Sequence, residues 1–304
     1  MSDSRTVTAY KLAATVARAL PEPAADGLAR VAGLGAAQLG GERRAQVERN
    51  LRRVHGPGFG GLAMRRAVAA TYESYARYWA ESFRLPGKSP EELDAGFSYT
   101  GWEHVERGLA AGNGVIIALP HLGGWEWAGF WTAMVQRRPI TVVVEAIEPP
   151  ELFEWFVELR QSLGMNVVPL GPDAGTEAVK ALKANHVLCL LSDRAIGATG
   201  IEVEFFGERT DLPGGPATLA LRTGAPLVAT AIYFRGRGHA AVVRPPIPLE
   251  RQGRLREDVQ RITQLLADEL ELLIRAAPEQ WHLMQPNWPS DDPSAEPEAP
   301  RAVP

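Results

Sequence analysis

The chain has 304 residues, of which 45% are hydrophobic and 22% charged, an ordinary composition for one large globular domain or two smaller ones. A single cysteine, Cys189, excludes a disulfide framework within the chain and suits a reducing compartment; and with no run of about 18 uncharged apolar residues, no segment is expected to span a bilayer. The net charge of −4 hides a split: residues 1–88 hold 14 Lys and Arg against 7 Asp and Glu, and the remainder holds 18 against 29.

In chain order, residues 6–20 read as a helix stopped by Pro21 and Pro23. Val7, Tyr10, Leu12, Ala14, Val16 and Leu20 form a broad apolar stripe beside Lys11 and Arg18, a pattern that fits a helix on a membrane surface or one packed on a core. Those two charges also break the stretch as a secretory signal. Residues 24–39 and 41–54 continue in helical pattern, the second carrying Arg43, Arg44, Arg49, Arg52 and Arg53. This basic third faces anionic lipid or nucleic acid, or is a solvated face. The Gly-rich stretch 55–61 is a loop, without the strand before it or the Lys-Ser/Thr after it that a phosphate loop needs. A long helix over 62–84 carries Tyr72, Tyr75, Tyr78, Trp79 and Phe83, and Ser89-Pro90-Glu91-Glu92 starts another with a capping-box pattern. A further helix covers 101–111.

From Gly114 the pattern changes to strand–helix alternation. Strands are predicted at 115–119, 140–145, 166–170 and 187–191, and helices at 125–136, 149–163 and 175–185. A strand at 226–234, a segment at 239–244 and a helix at 256–276 close the domain. Near-continuous apolar strands alternating with helices predict an α/β fold: a largely parallel or mixed central sheet covered by helices on both faces, with a helical N-terminal part. The Pro- and Glu-rich end, 289–304, is expected to be disordered, and Cys189, inside an apolar strand, reads as a buried small hydrophobe.

The chemistry centres on residues 114–129. Pro120 breaks the strand, and His121 follows it before Gly123, Gly124 and a second apolar run. A residue at the C-terminal end of a parallel strand faces the crevice where open α/β sheets bind ligands, and the following amides lie at a helix N-terminus. Asp193 ends another predicted strand and is placed to face His121 across the same crevice, as the carboxylate that orients a general base. Glu126, five residues beyond His121, would point about 140° away if both lay on one regular helix; it either joins the chemistry or counters the helix dipole. No Gly-x-Ser-x-Gly elbow is present, so the natural reading is a His that deprotonates a substrate hydroxyl, with a hydrolase built on Ser192 as a rival. The scattered histidines 55, 104, 121, 186, 239 and 282 and the lone cysteine point to no metal site, and no nucleic-acid module is visible. Gly214-Gly215-Pro216 opens a helix whose N–H groups hold a phosphate or simply form a junction.

The turn Pro120-His121-Leu122-Gly123-Gly124-Trp125-Glu126 resembles the H-x4-D/E signature of the glycerolipid and lysophospholipid acyltransferases. Asn50-Leu51, Tyr75-Ala76-Arg77-Tyr78-Trp79, Asp193-Arg194, Phe205-Phe206-Gly207-Glu208, Gly215-Pro216-Ala217 and Trp281-His282 narrow it: the chain resembles the lipid A late acyltransferases from about residue 6 to 288. Among these it is most similar to the actinobacterial phosphatidylinositol mannoside acyltransferases.

The resemblance implies acyl transfer from acyl-CoA, a co-substrate and not a bound cofactor, to a mannose hydroxyl of a membrane glycolipid. It makes His121 the base, Glu126 the second signature residue and Asp193 the acid paired with the His. Glu145, Arg160, Arg194 and His282 match polar substrate-binding positions, and Arg160 or the Gly123 and Gly124 amides are candidate oxyanion donors. Trp125, Trp127, Phe130 and Trp131 are candidates for an acyl slot. One departure is Ala195, where the family commonly has Asp after Asp193-Arg194; it puts an acceptor contact in doubt. The expected organisation is a membrane-proximal helical segment over 1–100, continuous with an acyltransferase core over 101–288, and the tail. The expected place is the cytoplasmic face of the membrane, held peripherally by anionic lipid and the stretch 6–20, with no nucleic-acid partner. A different lipid acceptor, or a catalytically silent lipid-binding protein, are the competing readings.

Overall fold

A computed structural model describes residues 2–146, 149–196 and 200–292. The N-terminal part is four helices, α1 (Ser2–Ala19), α2 (Glu22–Leu39), α3 (Glu42–His55) and α4 (Gly61–Arg84). The expected stripe of the first helix is divided. Tyr10, Ala14 and Ala17 pack with Trp79 and Phe83 of α4, while Leu12 and Val16 stay exposed. Helices α2 and α4 cross closely because residue 33 is glycine: a Cβ there would lie 2.7 Å from the Tyr72 carbonyl oxygen.

Helix α5 (Pro90–Ala95) starts with the capping box read from the sequence: the Ser89 hydroxyl accepts from the Glu92 amide and the Glu92 carboxylate from the Ser89 amide. Then come β1 (Phe97–Thr100), α6 (Trp102–Ala110), β2 (Val115–Leu119) and α7 (Trp125–Phe130), which runs on as a π-helical turn over Trp131–Val135. Next are β3 (Ile140–Val144), α8 (Pro150–Ser162), β4 (Met165–Pro169), α9 (Ala174–Lys183) and β5 (Val187–Leu191). A hairpin of β6 (Gly200–Phe205) and β7 (Glu208–Pro213) precedes α10 (Gly215–Thr223), β8 (Leu227–Arg235), β9 (Gly238–Val243) and α11 (Leu255–Arg275).

The sheet order is β1-β9-β8-β2-β5-β3-β4. All neighbours are parallel except the β8–β9 pair. The fold is therefore α/β with a mixed, mostly parallel sheet, as the alternation predicts. Strand β2 is buried throughout and its side chains alternate between two cores. Val115, Ile117 and Leu119 join the core that holds Trp102, Trp127, Phe130 and Trp131. Ile116 and Ala118 join the other, beneath α10 and α11.

Two features went unread in the sequence. Strand β1 is four residues long and mostly exposed, so it carries no apolar run. The β6–β7 hairpin alternates charged residues outward with Val203, Phe205, Thr210 and Leu212 inward. Phe206 and Gly207 form its two-residue turn with φ of 56° and 76°, the positive pair that matches strand twist.

The first residues of the expected disordered tail are ordered. Pro289–Asp291 form a 3-10 turn, and Asp291 is buried against Arg49 at 3.1 Å and Arg53 at 2.8 Å. Residues 293–304 lie outside the described residues. Arg53 also pairs with Glu208, and Arg44 with Glu48. Four of the five arginines expected on α3 are thus ion-paired, with Arg52 also on Glu48.

The α2–α4 crossing gives a test. Alanine at position 33 gains up to about 1 kcal/mol of helix propensity, yet its Cβ meets backbone, and overpacking costs about 1–3 kcal/mol. Gly33→Ala should therefore lower the thermal midpoint; an unchanged or raised midpoint would refute the close-crossing account.

Candidate active site

Strands β2 and β5 are parallel neighbours with Leu119 opposite Leu191. His121 and Asp193 each stand two residues beyond those partners, so the register itself brings them together. The Asp193 carboxylate has no solvent exposure. One oxygen lies 2.7 Å from His121 Nδ1; the other accepts from the His121 amide at 3.0 Å and the Trp281 indole N–H at 2.8 Å. Burial alone would raise this carboxyl; the facing His121 ring and these N–H donors outweigh it and hold it below the usual carboxylate range. With Nδ1 bonded to the acid, Nε2 is left without a hydrogen-bond partner among the described residues, on a side chain that lines a cavity.

That cavity is about 610 Å³ and includes Glu145, Arg160, Arg194 and His282 in its wall. Glu145 and Arg194 form a 2.6 Å ion pair. His282 is buried, with Nε2 2.8 Å from the Ser74 hydroxyl and Tyr75, Tyr78 and Trp125 around its ring. Burial, then the nearby His121, lowers its pKa to about 3, so it stays neutral at physiological pH. A smaller, mainly apolar cavity of about 90 Å³ adjoins the first and shares Trp125, Val143, Val144, Arg160 and Leu191 with it.

Glu126 takes no part in the His121–Asp193 contact. It is buried on α7, where its two oxygens accept from Nε and Nη2 of Arg160, and it lies 3.5 Å from the Tyr78 hydroxyl. Burial disfavours the Arg160 charge, but Glu126 outweighs it and raises its pKa. Glu126 thereby ties α7 to α8 at the seam between the two cavities.

Three expectations need correcting. The Gly123 and Gly124 amides are not free oxyanion donors, since they donate to the Gln280 and Ile232 carbonyls at 2.9 and 3.1 Å. Glycine is required there for another reason: a Cβ on Gly123 would lie 1.9 Å from the Ile232 oxygen, and one on Gly124 2.5 Å from the His239 ring. Of the four proposed slot aromatics, Trp125 and Trp131 line these two cavities, whereas Trp127 stacks on His239 outside them and Phe130 fills the core. Ser192 is buried with its hydroxyl donated to the Leu190 carbonyl, which leaves nothing for a hydrolase built on it. Gly214, Gly215 and Pro216 do reach the large cavity.

Sequence reasoning missed Ser74, the partner of His282, and Asn287, whose side-chain amide donates to the Asp193 carbonyl at 3.1 Å. Both contacts join residues far apart in the chain, and no local spacing announces them.

The model of the bacterial lipid A biosynthesis acyltransferases matches residues 4–290. The chain belongs to that family. It is a lipid O-acyltransferase. Three relatives carry the name phosphatidylinositol mannoside acyltransferase. Two are from Mycobacterium tuberculosis: strain CDC 1551 / Oshkosh at 39% identity and strain ATCC 25618 / H37Rv at 40%, each covering 95% of this chain and 91% of the relative. The third, from Mycolicibacterium smegmatis, is 39% identical over 90% of this chain and 88% of its own.

The buried Glu126–Arg160 pair predicts its own signature. Glu126→Gln leaves a guanidinium inside the protein without its counter-charge, a loss of about 3 kcal/mol or more, to be read from urea unfolding. A Glu126→Gln protein as stable as the wild type would contradict the pairing.

Proposed function

We propose that this acyltransferase moves a fatty acyl chain from acyl-CoA to a mannose hydroxyl of a phosphatidylinositol mannoside, with His121 as general base. The observation that carries the mechanism is the His121–Asp193 contact at the wall of the large cavity, which orients the ring and leaves Nε2 toward the space a substrate would fill. The names of the three relatives support the acceptor.

In this reading the acceptor hydroxyl gives its proton to His121 Nε2, and the buried Asp193 carboxylate stabilises the imidazolium. The hydroxyl oxygen forms the new C–O bond at the thioester carbonyl, the C–S bond breaks, and His121 returns the proton to the leaving thiolate. The Glu145–Arg194 pair and the neutral His282 provide polar contacts for the sugar. The apolar space behind Trp125 accepts the chain, each buried CH₂ contributing about 0.8 kcal/mol. His121→Ala should lower kcat by ~10²–10⁴, and Asp193→Asn should also impair turnover while keeping the ring in place. Mass spectrometry of products from acyl-CoA and defined mannosylated phosphatidylinositols, beside a lysophospholipid panel, tests the acceptor. Acylation of the lysophospholipids alone would refute it, and near-normal turnover by His121→Ala would refute the base.

The same reading places the protein peripherally on the cytoplasmic face, where acyl-CoA is available. Among the described residues no helix is long and apolar enough to cross a membrane. Where α2 ends and α3 and α4 begin, Leu39 and Leu62 are exposed beside Arg43, Arg65 and Arg66, and these three arginines form no ion pair among the described residues. Each cation near an anionic surface contributes about 1 kcal/mol, screened by salt. Binding to anionic liposomes should weaken as salt rises and weaken further in the Arg43→Gln/Arg65→Gln/Arg66→Gln variant. Salt-insensitive binding would assign docking to apolar insertion instead.

A further inference from the structure

After α11 the chain does not leave the molecule. Residues 280–291 run as a strap along the His121 turn and are bonded to it at successive points. The Gln280 carbonyl accepts from Gly123, the His282 amide donates to the His121 carbonyl at 2.7 Å, and Leu122 and Trp281 form an antiparallel bridge. The Trp281 indole holds the Asp193 carboxylate, and the Asn287 amide holds the Asp193 carbonyl. The strap thus supplies hydrogen bonds to both halves of the His–Asp pair.

Its far end is anchored by Asp291, which has no exposed side-chain surface. One carboxylate oxygen takes the Arg49 and Arg53 guanidinium groups. The other accepts from Gln46, from the Asn287 amide at 2.9 Å and from the Trp288 amide at 3.1 Å. Arg53 also stacks over the Trp288 ring at 4.0 Å. On the same helix, buried Asn50 donates to the Leu283 carbonyl at 2.8 Å. One buried polar row on α3 therefore grips the strap at two places. A carboxylate buried this deeply is costly unless fully paired, and here every partner is a strap amide or an α3 side chain. Burial would raise the Asp291 carboxyl, but the Asn287 amide and the Arg53 guanidinium outweigh it and hold it ionised.

We propose that Asp291 is a positioning residue: through Asn287 it fixes the backbone of Asp193 and so the alignment of the His121–Asp193 pair, about one hundred residues away in sequence. The proposal rests on the reading of His121 as the base. Asp291 touches no substrate; it acts because Asn287 is pinned through its main-chain N–H by Asp291 while its side chain pins Asp193. Losing the anchor frees Asn287, lets the Asp193 segment relax and loosens the Nδ1–carboxylate hydrogen bond. Misalignments of about 1 Å at a reacting pair cost up to ~10²-fold in rate.

The test uses the full chain with Asp291→Asn and, separately, Asn287→Ala, which leaves Asp291, Arg49 and Arg53 in place. Two readouts are taken. One is kcat and KM for acyl transfer. The other is the downfield proton resonance of the His121 Nδ1–H bond to Asp193, assigned by its disappearance in His121→Ala. In both variants kcat should fall by ~10–10²-fold with KM little changed, and the resonance should broaden or move upfield. A folded variant of either kind that keeps the wild-type resonance and kcat, with only a lower thermal midpoint, would reduce the strap to a structural element and overturn the proposal. If Asp291→Asn does not fold, Asn287→Ala decides alone. If His121→Ala proves fully active, the catalytic reading fails separately, and the resonance alone decides whether Asp291 positions the pair.

Discussion

A carboxylate without solvent contact must take every hydrogen bond from the protein, and the Asp193 site is built around that demand. Its two oxygens need a ring N–H, a main-chain N–H and an indole N–H at once. Those three donors come from the turn after β2 and from the strap after α11. Satisfying one buried charge thus holds together segments that lie 72 residues before it and 88 residues after it, and it fixes the tautomer of His121 at the same time. The carboxylate thereby links the C-terminal strap to the middle of the sheet.

A second buried ion pair has a different task. Glu126 belongs to the H-x4-E signature, yet it serves Arg160 and not His121. Spacing alone left its role open, because the geometry depends on where the helix begins. His121 lies before α7, so helical angles between it and Glu126 carry no meaning. The glycines between them have a steric purpose too: they admit the Ile232 carbonyl and the His239 ring, which no count of glycines near a helix start reveals.

What could be read from the sequence followed physical range. The alternation of apolar strands and helices gave the α/β class, because period and length are local. The placement of His121 and Asp193 at strand ends was legible for the same reason, and so was the Ser89 capping box. The β1 edge strand and the β6–β7 hairpin were not, since one is short and exposed and the other carries charge on its outer face. The end of the strap was hidden most fully. A Pro- and Asp-containing segment looks disordered unless the arginines that receive Asp291 are known, and those arginines themselves read as surface charge until their partners are found. Opposite charges distant in sequence meet only in three dimensions, as Arg49 and Arg53 do with Asp291.

The parallel register of β2 and β5 has one more consequence. His121 and Asp193 meet because each lies the same short distance past a paired residue. Adding or removing one residue between Leu119 and His121, or between Leu191 and Asp193, would slide one partner along its strand direction by about 3.3 Å and turn its side chain to the opposite sheet face. Insertions and deletions are thus barred from these two short spans, whatever residues they bring.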